Sequence, residues 1–311
     1  MIFNRSWLTR KEVKEFKRIA PYPLHYIPRL KALSDLYYQP IPTSGHTPTL
    51  LEESLRHARE IHSKNVSLYV PLSGGVDSSL VAASLAKVGA RPVIGLSETG
   101  KETAEHIFIE WLQSQGCTIE ICEQDSIKNA VSRGMHVVTG THGDNLFLGD
   151  TVFVHDGLAD DVWYMSPNDV LQVLSGRKGD LWGTYKHLFD EMPEHMPRTA
   201  ANVLWWTNFA GHWSCDCYYL TLDINIGAPG VTHTHFFGSD GFQLYMMQDA
   251  ALRCGKSYDT IKEQSIATVS KLVGRELSIP SKTGGFGDIR PRKQTNLFKI
   301  TKDWTVIGET Q

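Results

Sequence analysis

Between residues 49 and 139, amphipathic segments alternate with short apolar runs. Four of the apolar runs have the length of a buried strand: 66–72, 92–96, 117–122 and 135–139. Apolar residues at helical spacing fill the stretches before and between them: 49–62, 80–89, 103–115 and 126–134. This alternation predicts an α/β fold with a doubly wound parallel sheet and right-handed crossovers.

After residue 150 the pattern becomes mostly helical and rich in aromatic residues. Helical spacing occurs at 169–174, 182–189, 200–213 and 258–277. The first 45 residues instead mix basic and aromatic residues with prolines, which break regular elements. We therefore expect an N-terminal arm over 1–45, an α/β core over 46–150 and a helical substrate-side region over 151–311.

The first predicted strand ends at Leu72 and runs into a polar loop, Ser-Gly-Gly-Val-Asp-Ser-Ser, at 73–79. This loop opens a helix, where unpaired backbone N–H groups attract phosphate oxygens. Gly74 and Gly75 let the backbone approach a ligand closely. Hydroxyl groups add further donors, at Ser73, Ser78 and Ser79. Asp77 would repel phosphate unless a divalent cation lies between them, so the loop predicts binding of ATP with Mg²⁺.

The fourth predicted strand runs into a second glycine-containing loop, at 140–150, which carries Asp144. Parallel sheets bind ligands at the carboxyl ends of their strands, so we expect this loop beside the phosphate loop. Asp77 and Asp144 would then share one Mg²⁺. The alternative is that Asp144 caps the helix that follows.

Composition narrows the class of protein. The 311 residues carry a net charge of -3 and are 41% hydrophobic, which is ordinary for a globular protein and argues against a large basic nucleic-acid surface. We find neither a secretory signal nor an apolar run that spans a bilayer, so we expect a cytoplasmic protein without a membrane partner. The five cysteines are interpreted as free thiols. One histidine and cysteine group could bind zinc, line the acceptor site or pack in the core: His212, Cys215, Cys217, His233 and His235.

The loop at 73–79 resembles the PP-loop of the N-type ATP pyrophosphatases at all seven positions. The resemblance implies a fold like that of the adenine nucleotide alpha hydrolases. It also implies cleavage of ATP between the α and β phosphates, adenylation of a substrate oxygen and release of pyrophosphate.

The second loop resembles the Ser-Gly-Glu-Gly-x-Asp-Glu-Leu-Phe-x-Gly segment of the asparagine synthetase family. In register, Thr139 and Gly140 match the pair that contacts adenosine in that family, and Asp144 matches its metal-binding aspartate. Leu96, at the end of the second predicted strand, would complete the frame around adenosine. Asp77 and Asp144 thus stand where the resemblance implies a Mg²⁺ site.

Two positions of this chain depart from the family's sequence pattern and one further position matches it, and all three bear on the catalytic steps. Thr141 stands where the family has the glutamate that assists ammonia, and Asn145 replaces its second acid, so adenylation is better supported than amidation. In the tail, Lys282 matches the lysine that the family places on pyrophosphate, although Pro280 replaces the neighbouring arginine. The alternative for Lys282 is a solvated surface lysine.

The resemblance implies an ATP-dependent carbon–nitrogen ligase, or amidotransferase, that activates a small carboxylate. The glutaminase domain of the family begins with a cysteine nucleophile after the initiator methionine, where this chain has Ile2. We therefore expect the nitrogen to arrive as free ammonia, as an amine of the substrate, or from a separate partner. Three alternatives stay open: a PP-loop enzyme that modifies a nucleobase, nucleotide or tRNA, a synthetase that aminates a purine or nicotinate acid, and a nucleotide-binding protein without catalysis.

Overall fold

In the part of the chain that the structure describes, five strands form one parallel sheet. The structure is a computed structural model that describes residues 48–97, 104–122, 126–140, 143, 164–177, 189–190, 192, 194, 196–206, 233–249 and 258–279, together with the backbone of 297–300 and 306–310. The five strands of the sheet are β1 (Leu68–Leu72), β2 (Val93–Ser97), β3 (Thr118–Cys122), β4 (His136–Thr139) and β5 (His233–His235).

The strand order is β3-β2-β1-β4-β5, and every neighbouring pair is parallel. The chain therefore steps outward from β1 to β3 on one side and returns to place β4 on the other side of β1. This reversal creates a switch point between the carboxyl ends of β1 and β4, where open parallel sheets bind ligands. The predicted α/β class is confirmed.

Seven helices with defined bounds occur among the described residues: α1 (Leu50–Ser63), α2 (Val76–Lys87), α3 (His106–Ser114), α4 (Ser126–Ser132), α5 (Pro167–Arg177), α6 (Asp240–Asp249) and α7 (Tyr258–Val273). Residues 200–206 are also helical. The start of α1 follows from its sequence, because Thr49 and Glu52 form a capping box. The predicted helices before residue 135 are confirmed to within a few residues.

Helices cover both faces of the sheet. Leu68, Val70 and Leu72 of β1 belong to a large apolar core that also contains the buried side of α2. Tyr69 points to the opposite face, where it packs with Ala130 of α4. Because successive strand residues alternate between faces, the nearly continuous apolar run of β1 is what a strand buried on both faces requires.

The region after residue 150 contributes to the sheet as well as packing on it. Helix α7 corresponds to the helix predicted at 258–277 and ends four residues earlier. It packs against α2. Strand β5 and an antiparallel hairpin, β6 (Leu297–Ile300) with β7 (Val306–Thr310), were not predicted. The predicted arm at 1–45 lies outside the described residues, and so do residues 182–188 of the helix predicted at 182–189. No described helix is long and apolar enough to cross a membrane.

Candidate functional site

The predicted phosphate loop lies between the carboxyl end of β1 and the first turn of α2. Gly74 has a φ of 83°, a left-handed conformation that a side chain would strain. Gly75 is the N-cap of α2 and is extended, with no side chain to cap the helix. The first-turn amides of a helix have no acceptor within the helix, so this end of α2 presents donors and a positive dipole toward the switch point.

The serine hydroxyls of the loop are not equivalent. Ser78 and Ser79 are buried, and their hydroxyls donate to the Gly75 carbonyl over 3.1 and 2.9 Å. The Ser73 amide donates to Ser78 Oγ over 3.2 Å, and the two hydroxyls lie 3.0 Å apart. Ser73 is exposed. Ser78 and Ser79 therefore hold the loop in shape, while Ser73 presents its hydroxyl at the surface.

Asp77, in the first turn of α2, pairs with a lysine that the sequence analysis did not select. Lys262 Nζ lies 2.7 Å from both carboxylate oxygens of Asp77. The Lys262 side chain is 0% exposed and that of Asp77 is 17% exposed. A buried ammonium is costly unless it is paired, so this contact explains how α7 tolerates a lysine on its buried side.

A sequence signal for Lys262 does exist. On α7 the described buried residues recur at helical spacing: Lys262, Ser265, Thr268, Val269, Leu272 and Val273. Lys262 thus occupies an inward position of an amphipathic helix. A lysine there indicates a buried carboxylate partner or an anionic ligand.

The loop after β4 packs directly against Asp77. A Cβ added to Gly143 would lie 2.3 Å from Asp77 Cγ, and one added to Gly140 would lie 3.1 Å from the backbone of Asp77 and Ser78. The Gly143 amide also donates to the Gly140 carbonyl over 3.0 Å. Glycine is therefore required at 143 for this approach. Asp144 follows Gly143 directly in the chain but lies outside the described residues.

The residues expected to frame adenosine end neighbouring strands at the same edge of the sheet. Leu72 of β1 is in register with Leu96 of β2, and both side chains are buried in the core. Thr139 ends β4 and is 2% exposed. Gly140, which follows it, contacts the first turn of α2. The structure thus brings Leu96, Thr139 and Gly140 to the edge that carries the phosphate loop.

Strand β5 adds two histidines beside Thr139. Thr139 Oγ1 lies 3.2 Å from His233 Nε2 and 3.4 Å from His235 Nδ1. The two ring centroids are 4.1 Å apart and nearly perpendicular. On the other face, His136 Nε2 lies 2.8 Å from Thr234 Oγ1. Burial, with a smaller contribution from the Lys64 charge, lowers the pKa of His136 to about 4.

The remaining sequence-predicted site residues lie outside the described part of the chain. They are Asp144, Lys282, Thr141, Asn145, His212, Cys215 and Cys217. Their roles stay predictions. Among the described residues, no group of three or more histidine, cysteine, aspartate or glutamate side chains is arranged to hold a metal ion. Cys117 is a free buried thiol, and burial raises its pKa to about 11, so at this position the free-thiol interpretation is confirmed.

The chain matches no protein-family model, and no curated protein matches it. Function must therefore be inferred from the residues themselves and from the geometry around Asp77.

Proposed function

We propose that this chain is an ATP-dependent, AMP-forming ligase of the PP-loop type. It would adenylate a small carboxylate and pass the acyl group to ammonia or an amine. The observation that carries this proposal is the convergence of three segments at Asp77. The phosphate loop carries Asp77, Gly143 from the β4 side packs against its carboxylate, and buried Lys262 bonds both of its oxygens.

The electrostatics at this point favour an anionic ligand. Lys262 brings its ammonium to the first turn of α2, where the helix dipole is already positive. A cation at this end of a helix is unfavourable unless negative charge lies nearby. Asp77 supplies one negative charge, which balances the Lys262 ammonium and leaves the positive end of the helix dipole to attract an anion. Amide donors, the Ser73 hydroxyl and Lys262 together form a set that suits the polyphosphate of ATP.

The donor set also suits Mg²⁺ in part. Asp77 offers carboxylate oxygens, which are the ligands that Mg²⁺ prefers, and in this structure Lys262 engages both of them. Asp77 and Asp144 would hold Mg²⁺, which would neutralise charge on the phosphates. Lys262 would then release an Asp77 oxygen and donate to a phosphate oxygen instead.

The reaction needs little covalent participation by the protein. A carboxylate oxygen of the acid attacks the α phosphorus, and the bond from that phosphorus to the bridging oxygen breaks. Pyrophosphate leaves with the electron pair, and the α2 amides with Lys262 stabilise its charge. A nitrogen nucleophile then attacks the acyl carbon and AMP leaves. Thr139, Gly140 and Leu96 would orient the adenosine so that these atoms are in line.

Pyrophosphate release tests the proposal. The purified chain is incubated with ATP, Mg²⁺ and ammonium chloride against a panel of small carboxylic acids. We expect release that depends on the acid, falls by about 100-fold in Lys262→Met, and is unchanged in Lys271→Met, an exposed lysine on the same helix. Asp77→Asn should also abolish release.

Other outcomes would overturn the ligase proposal. Formation of ADP and phosphate would contradict cleavage between the α and β phosphates. Release that is stimulated by RNA rather than by acids would favour an enzyme that modifies tRNA. ATP binding without any pyrophosphate would favour a nucleotide-binding protein.

A further inference from the structure

The Lys262 ammonium lies where a metal ion would bind the Asp77 carboxylate. Lys262 Nζ is 2.7 Å from both carboxylate oxygens, so it faces the two oxygens equally. A divalent cation bound to both oxygens would need this same position, and two positive groups cannot share it. A cation bound to only one oxygen would still lie close to the ammonium and would be repelled by it.

Burial holds the ammonium at this carboxylate. The Lys262 side chain is 0% exposed, and that of Asp77 is 17% exposed. Lys262 lies on the inward side of α7, which packs against α2. Moving the ammonium away from Asp77 would weaken a charge pair in surroundings that screen charge poorly, so it costs more than the loss of a surface pair. A metal ion alone does not offset this cost, because it is a cation as well.

The loop after β4 restricts the approach to Asp77 from a second direction. A Cβ added to Gly143 would lie 2.6 Å from Asp77 Oδ1, and one added to Gly140 would lie 3.1 Å from the Asp77 backbone. The backbone of this loop therefore lies against the carboxylate that Lys262 already engages. Mg²⁺ gives up its bound waters reluctantly, so a hydrated ion has little room to reach Asp77 while Lys262 stays in place.

A polyphosphate changes this balance because it offers Lys262 another anionic partner. The loop at 73–79 places exposed Ser73 and the N-terminus of α2 next to Asp77. An anion bound there is attracted by the helix dipole, and its oxygens can accept from the Lys262 ammonium as the carboxylate does. An Asp77 oxygen then becomes available to a metal ion. The phosphates supply further oxygen ligands and the negative charge that a second cation needs.

We propose that Lys262 makes metal binding at Asp77 conditional on the nucleotide, so that Mg²⁺ binds together with the polyphosphate and not before it. This inference rests on the proposed function and assigns Lys262 a regulatory role that precedes the reaction. No covalent bond changes in this step, since the ammonium only exchanges a carboxylate oxygen for a phosphate oxygen. The coupling is reciprocal, so Mg²⁺ should strengthen nucleotide binding by the same factor by which the nucleotide strengthens Mg²⁺ binding.

The first arm of the test measures metal binding without nucleotide. Mn²⁺ serves as the probe in place of Mg²⁺, because its sharp electron paramagnetic resonance signal is lost when it binds. We expect Lys262→Met to bind one Mn²⁺ at least about 10-fold more tightly than the unmodified chain. Adding Asp77→Asn to that variant should remove the new site. Lys271→Met is the matched control, because it removes one exposed lysine from the same helix and should leave Mn²⁺ binding unchanged.

Two results of the first arm would overturn the inference. If the unmodified chain binds Mn²⁺ as tightly as Lys262→Met does, at a site that Asp77→Asn removes, then Lys262 does not exclude the metal ion. If folded Lys262→Met gains no Mn²⁺ site, then the ammonium is not what limits metal binding at Asp77.

The second arm uses the unmodified chain, so it does not depend on the folding of any variant. The probe is an ATP analogue with a methylene group between the α and β phosphorus atoms, which cannot be cleaved at that position. Isothermal titration calorimetry measures its binding in EDTA and in Mg²⁺. We expect binding in EDTA that becomes about 10–100-fold tighter in Mg²⁺. Binding in Mg²⁺ with none in EDTA would overturn the proposed order.

The two arms separate the failure of this inference from the failure of the proposed function. If pyrophosphate is released but Mn²⁺ alone binds the unmodified chain at Asp77, the ligase stands and this inference is overturned. If both arms give the expected results but no acid elicits pyrophosphate, the ligase fails and the conditional metal site stands. If the analogue binds in neither condition, the proposed function and the dependence on nucleotide both fail.

Discussion

At the scale of single residues, Asp77 and Lys262 form the most informative contact in the structure. The pair joins the first turn of α2 to the second turn of α7, so it has a structural role in addition to the proposed catalytic one. The two roles can be separated by experiment, because a buried charge is costly alone and much less so when its partner is removed as well.

We predict that Lys262→Met lowers the free energy of unfolding by about 1–3 kcal/mol. The substitution leaves the Asp77 carboxylate, which is 17% exposed, without its ammonium. Asp77→Asn combined with Lys262→Met should recover most of this loss, since both charges are then gone. Urea unfolding measures both values. If the double variant has the same free energy of unfolding as Lys262→Met, then pairing with Asp77 is not what allows Lys262 to be buried.

Gly143→Ala tests the approach of the β4 loop to the same carboxylate. Its Cβ would lie 2.3 Å from Asp77 Cγ, so the Asp77 side chain must move and its contact with Lys262 must loosen. We expect pyrophosphate release to fall by about tenfold or more, with a fold that remains intact. Normal turnover in Gly143→Ala would mean that the approach of Gly143 to Asp77 has no functional role.

At the scale of elements, α1 is tied to the segment after β5 through a buried carboxylate. Glu53 is 1% exposed, and it accepts from Arg56 Nε over 2.7 Å and from the Ser239 hydroxyl. A Cβ on Gly241, at the start of α6, would lie 2.1 Å from a Glu53 oxygen. This contact positions the start of α6, immediately downstream of His233 and His235.

We predict that Glu53→Ala lowers the free energy of unfolding by about 1–3 kcal/mol, because the Ser239 hydroxyl and the Arg56 guanidinium lose a buried acceptor. Glu60→Ala is the matched control on the same helix. It also removes an Arg56 contact, but Glu60 is 54% exposed, so its loss should cost less than about 1 kcal/mol. Equal losses in urea unfolding would contradict a special role for Glu53.

The elements also show where sequence reasoning succeeds and where it does not. Strands β1, β2 and β4 were predictable because they are largely buried and apolar, and glycines mark the ends of α2, α3 and α4. Strand β3 was predictable from its two isoleucines, although it lies at the edge of the sheet and Ile121 is 47% exposed. Strand β5 was not predictable, because it is three polar residues, His-Thr-His, held by pairing with β4. Its place depends on a contact between segments 94 to 98 residues apart, which no local pattern encodes.

The candidate site also has parts that the sequence predicts and parts that it does not. The phosphate loop and the approach of the β4 loop follow from the rule that ligands bind at the carboxyl ends of parallel strands. Lys262 comes from a helix 185 residues after Asp77, and its inward position emerges only once α7 packs on α2. Sequence motifs therefore locate the loops of the site, whereas tertiary packing supplies the lysine and the histidine pair.

At the scale of the whole molecule, buried histidines couple stability to pH. Burial lowers the pKa of His136 to about 4 and also lowers that of His57, where a contact with Glu60 opposes the effect. An unfolded histidine takes up a proton near pH 6.5, while folded His136 does not until about pH 4. Protons therefore favour the unfolded chain as pH falls through this window.

We predict that the free energy of unfolding decreases as pH falls from about 6.5 toward 4, with His136 contributing up to about 3 kcal/mol. In His136→Gln, the loss between pH 7 and 5 should be smaller than in the unmodified chain. Urea unfolding at each pH measures the slope. An identical slope in both proteins would mean that His136 is not the group that carries the effect.

The switch point between β1 and β4 gathers the phosphate loop, Gly140, Gly143 and Lys262 around Asp77. We propose that this arrangement activates a carboxylate as an acyl-adenylate. This can be measured with an acid whose carboxylate carries ¹⁸O, incubated with ATP, Mg²⁺ and ammonium chloride, by following the label with mass spectrometry. We predict one ¹⁸O atom in AMP and none in pyrophosphate, with no labelled AMP from Asp77→Asn. Unlabelled AMP, or ADP with phosphate, would contradict it.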